Sequence, residues 1–140
     1  SKADSLYLKL GTEYARLAPL ANIGENYVSQ GNYPKGLEYS MKAYDIMHKA
    51  GDEDANMCII KSNIGDIYYQ MGNYVEAEKW LNKALLHGGD KSGVVLEHYG
   101  DTLYQIGDKE KAVEYWKKAK QAGEASDLID KKINDKMLYE

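Results

Sequence analysis

The chain has 140 residues, a formal net charge of −4, 44% hydrophobic and 29% charged residues, and no Phe. That is the size of one domain able to bury a core. An acidic balance without a dominant Lys/Arg cluster argues against nucleic acid as a partner, and no apolar run nears the roughly 18 residues that membrane insertion needs.

Taken from the start, residues 3–10 read as the end of a helix, followed by Gly11-Thr12-Glu13-Tyr14-Ala15, which looks like Gly51-Asp52-Glu53-Asp54-Ala55 further on. Three windows of 22 residues then align without a gap: Asn22 to Ala43, Asn63 to Ala84 and His98 to Ala119. The pairs Gly24/Gly31, Gly65/Gly72 and Gly100/Gly107 recur inside them at one spacing, so repetition organises the chain. Each window predicts two helices. The first has apolar residues at helical spacing, such as Leu20, Ile23 and Tyr27, or Ile64 and Tyr68. Its Gly (Gly24, Gly65, Gly100) costs helix propensity, about 1 kcal/mol against Ala, which fits a site where another helix comes close. Gly31, Gly72 and Gly107 suit a left-handed helix end. Asn32, Asn73 and Asp108 suit the N-cap of the second helix, whose stripe is Ala77, Leu81 and Ala84 or Ala112, Trp116 and Ala119. The wider offset from the first to the second window predicts a longer second helix, running through Asp45-Ile46-Met47-His48 to about Gly51. A last amphipathic helix is expected from an N-cap at Ser126 to Leu138, with Leu128, Ile129, Ile133 and Met137 inward and Lys131, Lys132 and Asp135 outward.

These residues resemble the tetratricopeptide repeat (TPR) family. Ile23-Gly24-Tyr27, Ile64-Gly65-Tyr68 and Tyr99-Gly100-Leu103 match the first half of its pattern, and Gly36/Ala43, Ala77/Leu81/Ala84 and Ala112/Trp116/Ala119 the second. Ser40 stands where an aromatic is usual, Lys61 where an apolar residue is usual, and the closing Pro is missing from all three units. The resemblance covers residues 17 to about 124 and implies an all-α, right-handed α-solenoid of helix-turn-helix units with a C-terminal capping helix. The whole chain, 1–140, is then one domain: the end of a partial preceding repeat (1–12), repeats at 17–54, 58–91 and 93–124, and the capping helix at 125–138. The third unit with this last helix also looks like the C-terminal part of long bacterial TPR arrays, some of them exported. Cytoplasmic and exported locations both fit.

The resemblance implies a concave groove lined by the first helices, where a protein or peptide lies. Positions at fixed offsets from the repeated Gly share that face. They are Asn22, Glu25, Val28 and Ser29 in the first unit, Asn63, Asp66, Tyr69 and Gln70 in the second, and Glu97, His98, Asp101, Tyr104 and Gln105 in the third. TPR domains that clamp a peptide's terminal carboxylate use Lys, Arg and Asn there, and this sequence lacks those Lys and Arg. The carboxylates Glu25, Asp66 and Asp101, beside amides and two tyrosines, instead point to a cationic or amide-rich peptide, with Tyr69 and Tyr104 as stacking platforms. The same carboxylates also serve simply to keep a helix face solvated.

No enzyme chemistry emerges. His48, His87 and His98 have no metal-site spacing, and no HExxH occurs. His87 before Gly88-Gly89 fits a helix C-terminus, and Cys58 among Met57, Ile59 and Ile60 fits a small buried residue. Gly88 to Gly93 lacks the P-loop spacing and reads as a turn between units. No cofactor or metal is expected. The leading reading is an interaction scaffold. The alternatives are a regulatory module within a larger signalling protein, and self-association into a homo-oligomer through an apolar N-terminal edge at Leu6, Leu8 and Leu10.

Overall fold

Local capping chemistry sets where the helices begin and end. The structure, a computed structural model, describes residues 16–51 and 55–140. The expectations for residues 3–10, for the edge at Leu6, Leu8 and Leu10, and for residues 52–54 lie outside the described residues. Seven α-helices, and no strand, occur among the described residues: α1 (Leu17–Ser29), α2 (Tyr33–Lys49), α3 (Ala55–Gln70), α4 (Tyr74–Leu86), α5 (Gly93–Ile106), α6 (Lys109–Ala122) and α7 (Ile129–Asp135). Asn32, Asn73 and Asp108 cap α2, α4 and α6 by accepting from the backbone N–H three residues on, at 3.3, 3.3 and 3.2 Å. This satisfies donors that a helix start leaves unpaired. Gly31, Gly72 and Gly107 turn the chain before each cap with φ of 78°, 79° and 108°. α2 is the longest helix, and Gly51 ends it with φ 71°. Residues Gly89–Lys91 form one 3-10 turn between the second and third units.

The helices pack as sequential antiparallel pairs, α1 on α2, α3 on α4 and α5 on α6, and each pair stacks on the next. This is the α-solenoid anticipated above, in which a pair buries its stripes only against its neighbours. Ala77, Leu81, Ala84, Ala112, Trp116 and Ala119 are all fully buried. With Cys58, Val95, Leu96, Tyr99, Leu103 and Ile129 most of them form one cluster that joins α3 through α7. The outer helices carry a recurring aromatic–lysine pair one turn apart: Lys42 over Tyr39, Lys83 over Trp80 and Lys118 over Tyr115, at 4.4 to 4.6 Å from the ring centres. Each lysine lays its stem along the ring and keeps its charge in water.

The repeated Gly allows close crossing to different degrees. A Cβ at Gly100 would lie 2.6 Å from Trp116, and one at Gly65 2.8 Å from Leu81. At Gly24 the nearest atom would be Ser40 Oγ, at 3.3 Å. At Gly24 the first crossing leaves more room, because Ser40 stands where the other units place Leu81 and Trp116; at Gly36 it is close, since a Cβ there would lie 2.6 Å from Val28 Cγ2.

Expectations for α1 and for the capping helix need correction. Ile23 is exposed, although Leu20 on the same stripe is buried; α1 turns only one edge of the stripe to α2. Lys61 is buried. The capping helix, expected over 125–138, is confined to Ile129–Asp135 and ends where Lys136 turns left-handed. Ser126 does not act as its N-cap. Its backbone N–H and hydroxyl bond Glu97 instead, and its Oγ accepts from the N–H of Leu128. Lys132 is 3% exposed rather than outward, and Met137 is exposed rather than inward.

Candidate functional site

The first helices α1, α3 and α5 line one face of the stack, and α7 and the segment after it close one end. On that face lies an open cavity of about 840 Å³. Of the thirteen residues expected there, Glu25, Val28, Ser29, Asn63, Asp66, Tyr69, Gln70, His98 and Asp101 line it. Asn22, Glu97, Tyr104 and Gln105 do not. Sequence reasoning missed Tyr33, Ser40, Ala43, Ile60, Ile67 and Glu140 as lining residues. The signal for Ser40 was present: it is the position where the aromatic is absent. A small side chain there leaves volume that Leu81 and Trp116 fill in the later units. The cavity floor therefore combines Val28, Ala43, Ile60 and Ile67 under a polar rim.

The carboxylates expected as a free acidic column are largely engaged. Asp66 Oδ1 lies 2.8 Å from His98 Nδ1, 32 residues on and one unit later. Asp101 Oδ1 lies 2.9 Å from Lys132 Nζ, 31 residues on, in α7. An acid one position after the repeated Gly thus meets a donor on the next first helix, and the bond ties adjacent units together. Glu25, the first of the series, makes no such bond to Asn63, and it stays exposed. Asp101 also accepts from Trp116 Nε1 at 2.9 Å. Lys132 reaches Glu97 at 2.7 Å, and Glu97 takes two further bonds from Ser126. Glu97 is consequently buried, which removes it from the groove surface.

The electrostatics follow from these partners. Burial disfavours the charged form of Glu97, but Lys132 and the two Ser126 bonds outweigh it and hold its carboxyl below the usual range. Burial likewise opposes charge on His98. The hydrogen bond and charge of Asp66, with Asp101 and Glu97 behind it, outweigh that and raise the imidazole above its ordinary value. At Asp101 burial prevails over Lys132 and Trp116, so its carboxyl sits above the usual range. Burial pushes the Cys58 thiol up, as befits a packed residue rather than a nucleophile.

Tyr69 and Tyr104 are half-buried and not the exposed platforms expected. Tyr69 meets Tyr74 edge-on at 5.3 Å, and Tyr104 stacks on Trp116 at 5.9 Å. The Tyr69 hydroxyl donates to Glu140 and accepts from Gln105 Nε2 at 3.4 Å. Among the described residues, no cluster of His, Cys, Asp and Glu is arranged to hold a metal ion, and no helix is long and apolar enough to cross a membrane.

The tetratricopeptide repeat family model matches residues 16–85 and 57–125. The chain belongs to this family, whose fold is a protein-interaction scaffold. Solved structures share the fold. The first TPR of Spaghetti (RPAP3), bound to the HSP90 peptide SRMEEVD, superposes with a TM-score of 0.75 at 15% identity, over 88% of this chain and 91% of that one. The Sgt2 TPR domain from Aspergillus fumigatus gives 0.73 at 20% identity, over 86% and 76%. The second TPR domain of human RPAP3, in complex with the HSP70 peptide SGPTIEEVD, gives 0.72 at 14% identity, over 93% and 99%. No curated protein matches the chain in sequence.

Proposed function

We propose that this chain is a protein-interaction scaffold whose concave groove takes a cationic or amide-rich peptide segment, seated over the first and second units. The observation that carries this reading is the cavity beside Ser40, with the unpaired carboxylate of Glu25 on its rim and no Lys or Arg among the described residues that line it. A lysine or arginine suits such a site, because its aliphatic stem can lie on Val28, Ile60 and Ile67 while its charge reaches the rim. Asn63, Gln70 and Ser29 supply donors and acceptors for a peptide backbone. The acidic EEVD-type ends held by two of the solved structures would meet like charge here. The molecule itself also shows an ammonium accepted by this series of acids, since Lys132 sits between Glu97 and Asp101.

The test compares labelled peptides of alternating lysine and glycine with glutamate–glycine peptides of equal length. The lysine peptide is expected to bind more tightly, with affinity that falls as salt rises. Glu25→Gln should weaken it, and Ser40→Leu, which fills the cavity as Leu81 does in the second unit, should abolish binding without unfolding the chain. Equal binding of both peptides, or a Ser40→Leu protein that binds unchanged, removes the reading.

A further inference from the structure

Residues 136–140 fold back onto the molecule. Lys136 turns left-handed, with φ 53°, and the Met137 N–H bonds back to the Lys132 carbonyl at 3.2 Å. Leu138 then packs against the central apolar cluster. Tyr139 donates to Asp135 at 2.8 Å and lies under Lys131 Nζ, 4.2 Å from the ring centre. Glu140 enters the cavity and accepts the Tyr69 hydroxyl, which Gln105 also bonds. Tyr69, which sequence reasoning assigned to a partner, is thus engaged by the chain's own segment.

We propose that residues 137–140 act as a built-in competitor: they occupy the groove where the second and third units meet, in the same cavity as the proposed peptide seat, and give way when a partner peptide binds. The inference rests on the reading of the groove as a peptide site. Two features make the seat reversible. Glu140 is a carboxylate placed in a cavity also lined by Glu25, Asp66 and Asp101, and a neutral phenol rather than a cation holds it. Only Leu138 and Tyr139 of the segment are half-buried, whereas Met137 and Glu140 remain exposed. A ligand that needs the occupied stretch binds with an affinity reduced by the fraction of molecules in which the segment is unseated.

The experiment uses the full chain, Glu140→Ala and Leu138→Ser/Glu140→Ala, with Asp127→Ala, an exposed position, as control. Fluorine NMR of 3-fluorotyrosine-labelled protein, with Tyr69 assigned through Tyr69→Phe, reports whether the segment is seated. The Tyr69 signal is expected to move in both Glu140 variants and to stay in place in the control. The lysine–glycine peptide should then bind these variants at least about threefold more tightly, the gain expected if the segment is seated two-thirds of the time. The direction is diagnostic, because loss of a carboxylate from the groove by charge alone would weaken a lysine peptide. As a second probe, a synthetic peptide of residues 136–140, added to about 5 mM to match the effective concentration of a short tether, should restore the Tyr69 signal of the double variant and move that of the unaltered chain far less. An unmoved Tyr69 signal in the Glu140 variants, unchanged or weaker binding of the lysine peptide to them, or failure of the 136–140 peptide to restore the signal overturns the competitor. If the lysine peptide binds no variant while the 136–140 peptide restores the signal, the segment keeps its seat and it is the cationic-partner reading that fails.

Discussion

Lys132 shows how one side chain can tie two helices together. Its ammonium is buried against two carboxylates, so removing it strands both charges. Lys132→Met is expected to cost about 3–5 kcal/mol in urea unfolding. The triple change Lys132→Met/Glu97→Gln/Asp101→Asn should recover much of that loss, because neutral groups replace the stranded charges; a triple variant no more stable than the single one would contradict the assignment. Glu97 adds a pH dependence. Its carboxyl is held below the usual value, so its contribution is present above the unfolded value and is lost as pH falls through the folded one. His98 has the opposite sign. Its raised value means that the Asp66 pair contributes fully below the unfolded imidazole value of about 6.5, and that the contribution fades as pH rises through the folded value. Proton NMR should place the His98 midpoint above that of a free imidazole, and Asp66→Asn should bring it down. A midpoint that Asp66→Asn leaves in place would remove the pair from the account.

Among the elements, the three helix crossings differ although their sequence windows align. Gly100→Ala would drive a methyl into Trp116, and overpacking of this kind costs typically about 1–3 kcal/mol. Gly24→Ala would meet Ser40 Oγ at 3.3 Å and Gly36 O and Tyr39 Cβ at 3.4 Å, a milder crowding, so part of the helix-propensity gain of about 1 kcal/mol should survive. Thermal unfolding of the two variants should therefore shift in opposite directions, or at least differ clearly, with Gly24→Ala the more stable. Equal losses would mean that the first crossing is as tight as the third. Ser40 also lines the cavity, so the departure there links the packing at Gly24 to the candidate site. For α7, the periodicity of Leu128, Ile129 and Ile133 revealed a helix, but its charge pattern misled. A lysine usually faces water, and nothing local to α7 tells that Glu97 and Asp101 wait 35 and 31 residues earlier.

At the scale of the whole molecule, burial among the described residues is lightest in α1. The apolar cluster joins α3 through α7, whereas α1 buries only Leu20 and Gly24. Since stability in a solenoid is a sum of units and nearest-neighbour contacts, native-state hydrogen exchange should show the strongest protection in α4, α5 and α6 and the weakest in α1. Uniform protection would indicate that the chain opens only as one unit. The amino-acid sequence by itself determined the repeat, the caps at Asn32, Asn73 and Asp108, the left-handed glycines and the buried stripes, because each depends on neighbours within a few residues or on a pattern repeated three times. Only the tertiary structure decided which acids were free. Asp66 and Asp101 look equivalent to Glu25 along the chain, yet their partners lie one unit away. Burial of Lys132, the half-burial of Tyr69 and Tyr104, and the return of Glu140 to the groove arise from contacts between distant segments, which no local pattern encodes.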